Sequence, residues 1–138
     1  MNTIEIPKIS VVCPTYNSSG YIKKTIESLL NQDARQFEVI FSDDGSKDET
    51  VAILESYKDA FKKKGILFEI LKNLHNGPGE TRNEGIKKAK GEWIAFLDSD
   101  DYWKSEKLSK VANAIKRNPS ISFIIHWEEY VKLNGSKK

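Results

Sequence analysis

The stretch FLDSDDYW, residues 96–103, ends a hydrophobic run and sets Asp98, Asp100 and Asp101 side by side. Like charges this close repel, so the cluster needs either bulk water or a cation. Along an extended strand, side chains two apart point the same way. Asp98 and Asp100 would then converge, with Ser99 and Asp101 turned away. Converging carboxylates suit Mg2+ or Mn2+, which take hard oxygen ligands and draw the rest of their shell from water or substrate phosphate. A solvated acidic turn before the helix that starts near Ser105 is the other reading. The residues alone leave both open.

A second acidic stretch, SDDGSKD (42–48), reads in part as a strand-to-helix turn. Gly45 bends the chain, Ser46 and Glu49 form a capping box, and Asp48 favours the positive helix end. Neither Asp43 nor Asp44 is explained that way, and at least one of them is a candidate for a ligand crevice. In NGPGETR (76–82), Gly77 and Gly79 echo a dinucleotide fingerprint, but the third glycine is absent and Arg82 stands in its place. Arg82 sits in the first turns of a helix, where a cation opposes the dipole. It pairs either with an anion or with Glu80 or Glu84. His75 and His126 stand alone, without metal-ligand spacing. There is no Gly-x-x-x-x-Gly-Lys loop and no Gly-x-Ser-x-Gly elbow, which argues against a P-loop NTPase and an α/β-hydrolase.

The elements that must position these groups alternate. Strands are expected at 9–14, 37–42, 66–71, 92–97 and 121–127. Helical patterns fall between them, with Ile22, Ile26, Leu29 and Leu30 on one face of the first and Val51, Leu54 and Phe61 along the second. A βαβαβαβαβ order implies an α/β fold, a mainly parallel sheet with helices on both faces. Ligands then bind at the carboxyl ends of the strands, where strand order reverses. The acidic stretches and Arg82 all fall at such ends. The 138 residues suit a single domain, with 134–138 as a flexible tail. The formal net charge of +2 does not point to nucleic acid as a partner. Cys13 is the only cysteine and lies in an apolar run, the place of a small buried hydrophobe. No apolar stretch reaches membrane-helix length and the N-terminus lacks a signal-peptide core, so a cytoplasmic location is expected.

Taken in order, SVVCPTYN, FSDDGSKDET and GETRNEGIKKAKGEWIAFLDSDD resemble the motifs of a family 2 glycosyltransferase of the GT-A fold, a Rossmann-like three-layer α/β/α arrangement. The resemblance covers about Ile9 to Leu108. It implies inverting transfer of a sugar from a nucleoside-diphosphate sugar, usually a UDP-sugar, with Mn2+ or Mg2+. By this likeness Pro14 and Tyr16 lie beside the nucleoside, Asp44 receives the base and Arg82 reaches the nucleotide. Asp98 lies by ribose and metal, and Asp100 ligates the metal. Asp43 is a neighbour. An ionised carboxylate only accepts hydrogen bonds, so Asp44 would favour uracil, which donates at N3, over cytosine, which accepts there.

The C-terminal part of the family pattern is missing. The general base and acceptor pocket lie late in such domains, and Glu128 and Glu129 follow the fifth expected strand too closely to serve. No catalytic residue is therefore assigned, and the base is expected beyond Lys138. The chain is expected to be a piece of a longer enzyme that keeps the donor site and acts, when whole, on a glycan or lipid-linked acceptor, with association at the inner face of the membrane open. A non-catalytic nucleotide-sugar-binding module of the same fold is the alternative. A receiver-type phosphoryl acceptor would need a late strand-end lysine, and a pyrophosphorylase-like enzyme a basic glycine-rich first loop. The chain has neither.

Overall fold

The computed structural model describes residues 8–132, so the tail at 134–138 lies outside the described residues. Four strands form one parallel sheet in the order β3-β2-β1-β4: β1 Ile9–Thr15, β2 Phe37–Asp43, β3 Leu67–Lys72 and β4 Trp93–Phe96. Between them run α1 Ile22–Leu30, α2 Thr50–Ser56, α3 Lys58–Lys63 and α4 Pro78–Lys88, with α5 Lys107–Arg117 last. β1 and β2 are buried along nearly their whole length, as central parallel strands must be, which is why they read as mainly apolar runs. β3 alternates exposed and half-buried residues and closes one edge; β4 closes the other.

The two faces of the sheet are packed differently. Ile9, Val11 and Cys13 of β1, with Phe37, Val39 and Phe41 of β2, join a core cluster with Ile22, Ile26 and Leu29 of α1, Leu54, Phe61 and Leu108. On the other face α4 lies across β1 and β2. It comes so close that a Cβ at Gly85 would stand 2.5 Å from Val12 Cγ1. Where α4 leads back into β4, the Ser10 hydroxyl donates to Glu38 Oε1 (2.5 Å), which also accepts the Lys90 N–H (2.6 Å). Gly91 N–H in turn donates to Ser10 Oγ (2.8 Å).

Three expectations are corrected. Residues 121–127 form no strand: 121–130 have no regular structure, and Trp127 is 100% exposed. An apolar, β-prone segment becomes a strand only where a neighbour supplies the ladder, and among the described residues none of the four strands of the sheet pairs with it. The second helical pattern breaks at Tyr57, which caps the end of α2 and the start of α3. The Ser46–Glu49 capping box does not form, because α2 starts at Thr50 and has no side-chain bond from its cap residue Glu49. Among the described residues no helix is long and apolar enough to cross a membrane.

Candidate functional site

The chain leaves β1 toward β2 and β3, then returns to place β4 on the other side of β1. Strand order reverses there, and an open cleft of about 400 Å³ lies at the carboxyl ends of the strands. Pro14, Tyr16, Asp44, Arg82, Asp98 and Asp100 all line it, joined by His75, Thr81 and Ser99.

The floor is built by loops that bond to one another. Thr15 Oγ1 donates to Asp43 Oδ1 (2.7 Å), and Asp43 also accepts the Ser46 N–H (2.8 Å) and hydroxyl (2.6 Å). Asp43 is buried and fully engaged in holding the turn, as its place beside the site suggests. Ser46 is thereby drawn away from the helix start, where Asp48 Oδ1 instead accepts the N–H and hydroxyl of Thr50 (2.9 and 2.6 Å). Asp48 Oδ2 reaches the N–H of Ser19 (3.1 Å) and ties the β1 loop to α2. Burial would raise the Asp48 carboxyl, but these bonds outweigh it and hold the group at about 2.

Asp44 is only 3% exposed. Its Oδ1 accepts the N–H of Asn76 (2.9 Å), and its Oδ2 accepts the N–H of Gly77 (3.1 Å) and lies 2.9 Å from His75 Nδ1. Gly77 has φ 93°, a left-handed backbone that glycine adopts without strain and that aims these amides at one carboxylate. Burial opposes ionisation here too, yet the Asn76 amide, the Thr81 side chain, the Gly77 amide and His75 together hold Asp44 below the ordinary carboxylate value. His75 also stacks on Tyr16, with ring centroids 4.5 Å apart and planes 23° apart. The expectation that His75 stands alone is thus corrected. Its position at the end of β3, not any ligand spacing, was the available signal.

Arg82 reaches across the cleft from α4, placing Nη2 2.8 Å from Asp98 Oδ1. The alternative partners are taken otherwise: Glu84 pairs with Lys87 at 2.6 Å, and Glu80 lies 4.0 Å from the same lysine. An Arg between two chain segments that meet only through the fold could not be read from local spacing.

The acidic stretch is a turn, not a continued strand. β4 ends at Phe96, and Asp101 N–H donates to Asp98 O (3.0 Å). Alternation therefore does not apply. Asp98, Asp100 and Asp101 each offer an oxygen within 4.8 Å of the others, so Asp101 is not turned away from the pair. Burial first, then Asp100, Asp98 and Glu128, push the Asp101 carboxyl above its ordinary value. Ser99 lines the cleft and its hydroxyl shares a 2.8 Å bond with that of Ser18.

The turn is held from behind by α1. The buried Thr25 hydroxyl lies 2.6 Å from Asp101 O and 2.9 Å from Ser99 O. Just past the end of α1, Gln32 donates to Lys104 O (2.7 Å) and accepts the Leu108 N–H (3.0 Å). Thr25, Ser28 and Gln32, at i, i+3 and i+7, form a buried polar stripe beside the apolar one. Sequence reasoning followed only the apolar face of α1 and missed this support.

Three oxygens at this spacing fit a hard divalent cation, with room in the shell for further oxygen ligands. The rest of the cleft adds an aromatic face, a buried acceptor and a guanidinium. That inventory suits a planar base linked to a diphosphate.

Comparison with known proteins agrees in kind. The sequence matches the family description "Glycosyl transferase family 2" over residues 10–137. It is 37% identical over 115 residues to an uncharacterized glycosyltransferase of Haemophilus influenzae, covering 83% of this chain and 45% of that one. It is 40% identical over 120 residues to the poly(ribitol-phosphate) beta-N-acetylglucosaminyltransferase TarS of Staphylococcus aureus, covering 86% of this chain and 20% of that protein. The crystal structure of S. aureus TarS 1–349 in complex with UDP-GlcNAc superposes with TM-score 0.72 at 39% identity, over 81% of this chain and 32% of that one. A mannosyltransferase of Pyrobaculum calidifontis shares the fold at TM-score 0.70 and 24% identity, over 83% of this chain and 33% of that one. The chain thus spans less than half the length of these relatives.

Proposed function

The chain belongs to glycosyl transferase family 2, and on that premise we propose that it forms the donor-binding part of an enzyme that takes a sugar from a UDP-sugar, with Mn2+ or Mg2+, and transfers it with inversion to a glycan or lipid-linked acceptor. The observation that carries this reading is the convergence of Tyr16, Asp44, Arg82, Asp98 and Asp100 on one cleft at the strand-order reversal, with Asp101 beside the last two. The solved TarS complex with UDP-GlcNAc, a 39% identical relative, supports the choice of a UDP-sugar.

On this reading each group has one task. Tyr16, beside Pro14, offers a ring face to the base. Asp44 is held ionised by the 75–77 turn and accepts the N3–H of uracil, a donor that cytosine lacks. Arg82 supplies a planar cation for a phosphate oxygen, exchanging its present partner Asp98 for the substrate. Asp98 and Asp100 hold the cation, and Asp101 adds charge to the same cluster. A divalent cation bound there stabilises the negative charge of the departing diphosphate. Too few protein oxygens converge for a tight cage, so cation and nucleotide bind together. No general base for the acceptor is assigned among the residues of this cleft. A cytoplasmic site of action goes with this reading.

Calorimetry in Mn2+ with UDP and with CDP tests the base assignment. UDP is expected to bind more tightly, and Asp44→Asn to weaken UDP and narrow the preference, since an amide presents either a donor or an acceptor. Equal affinities for the unmutated chain would remove Asp44 from the base site.

A further inference from the structure

His75 does to Tyr16 and Asp44 what a nucleobase would do. It is a planar heteroaromatic ring stacked on Tyr16 at 4.5 Å. Through the same ring it brings Nδ1 to 2.9 Å from Asp44 Oδ2 and 3.2 Å from the Asp44 carbonyl. Both of those atoms are acceptors, so Nδ1 carries the hydrogen and donates. A pyrimidine with an N–H needs the same aromatic face and the same acceptor.

The environment of Asp44 sharpens the conflict. The residue is 3% exposed, and its other partners are the backbone amides of Asn76 and Gly77 and the buried Thr81 side chain. Those amides are fixed by the turn that opens α4, where the Thr81 hydroxyl donates to Gly77 O (2.7 Å). Thr81 is buried on α4, so His75 is the exposed member of this set and can leave without disturbing that turn. Its side chain is 60% exposed, and exposed side chains change rotamer on the picosecond-to-nanosecond scale.

We propose that His75 occupies the base position of the donor site and that a bound nucleotide displaces it, so that its imidazole sets donor affinity by competing for Tyr16 and Asp44. The proposal rests on the reading of Tyr16 and Asp44 as the base-binding pair. It assigns His75 an effect opposite to that of a wall residue: removing it helps binding. The His75–Asp44 contact is solvent-exposed on the histidine side and the stack is modest, so the competition amounts to about three- to tenfold in affinity.

The test is UDP titration in Mn2+ of the unmutated chain and of His75→Ala, with the histidine ring protons followed by NMR. The sequence has two histidines, so His75→Ala identifies the His75 signals by their loss. The expected result is about three- to tenfold tighter UDP binding by His75→Ala. In the unmutated chain, the His75 ring protons should move downfield on saturation, as the ring leaves the shielding face of Tyr16. If UDP binds but His75→Ala leaves affinity unchanged or weakens it, or the His75 signals stay in place at saturation, displacement is wrong while the donor reading stands. If UDP binds neither protein, the donor reading fails and takes this proposal with it.

Discussion

Arg82 Nη2 lies 2.8 Å from Asp98 Oδ1, joining α4 to the turn after β4 across the point where strand order reverses. The pair is partly exposed on both sides, so its worth to folding is at most about 1 kcal/mol. On the proposed reading its worth to binding is larger, because Arg82 pairs with one of three crowded carboxylates that a diphosphate would approach. Arg82→Ala is expected to shift the urea midpoint little and to weaken UDP in Mn2+ by about tenfold or more. Lys at this position should recover only part, having a point charge without the planar fork. Full UDP affinity in Arg82→Ala would show that the guanidinium serves Asp98 alone.

Thr25 makes a different kind of contribution, since it never meets the cleft. Thr25→Val keeps the shape but leaves Ser99 O and Asp101 O without their shared donor, at a cost of about 1–3 kcal/mol. The acidic turn should loosen, and the Mn2+-dependent part of UDP affinity should fall while Thr25→Ser restores it. A stability loss with unchanged Mn2+ dependence would mean that the turn holds its own shape.

The α4 face tolerates no added volume at Gly85. The nearest atom is a branched Val12 methyl on a central strand, not the end of a flexible chain. Gly85→Ala is expected to cost about 1–3 kcal/mol in urea unfolding. Because Thr81 and Arg82 ride on the same helix, UDP affinity should fall with it. A neutral substitution would show that α4 can lift from β1 freely.

Asp48 should leave a mark on acid stability. Its folded value of about 2 lies below the ordinary carboxylate range, near 4 in an unfolded chain. The stabilisation is therefore fully present above about pH 4 and is lost as pH falls toward 2. Since Asp48 is solvent-exposed, the contribution is discounted to about 1 kcal/mol or less. Asp48→Asn should flatten the stability–pH curve between those limits in chemical denaturation. An unchanged curve would locate the acid sensitivity elsewhere.

Much of this was legible in the sequence, for reasons that differ by element. β1 and β2 are buried on both faces, so apolar runs alone mark them, and the Ile22–Leu30 periodicity marks α1 just as plainly. The strand ends followed from the alternation of elements and drew attention to the two acidic stretches and Arg82; the choice of Asp44 over Asp43, and the nucleotide role of Arg82, came only from the likeness to family 2 glycosyltransferases. What failed depended on long-range partners. Residues 121–127 carry strand composition but no ladder in the described structure. Asp101 was assigned by alternation across a stretch that is in fact a turn closed by Asp98 O. His75 and Thr25 gain their roles only from residues distant in the chain, Tyr16 and Asp44 for one, Ser99 and Asp101 for the other.

The most direct test of the donor-site account is UDP affinity measured with Mn2+ and again with chelator, for the unmutated chain and for Asp100→Ala. Three carboxylates that crowd within 4.8 Å repel a diphosphate unless a cation lies between them. The account predicts that chelator weakens UDP by at least about tenfold in the unmutated chain. Asp100→Ala should bind UDP weakly in Mn2+ and respond little to chelator. UDP affinity unchanged by chelator in the unmutated chain would contradict the account and leave the acidic turn as a solvated one.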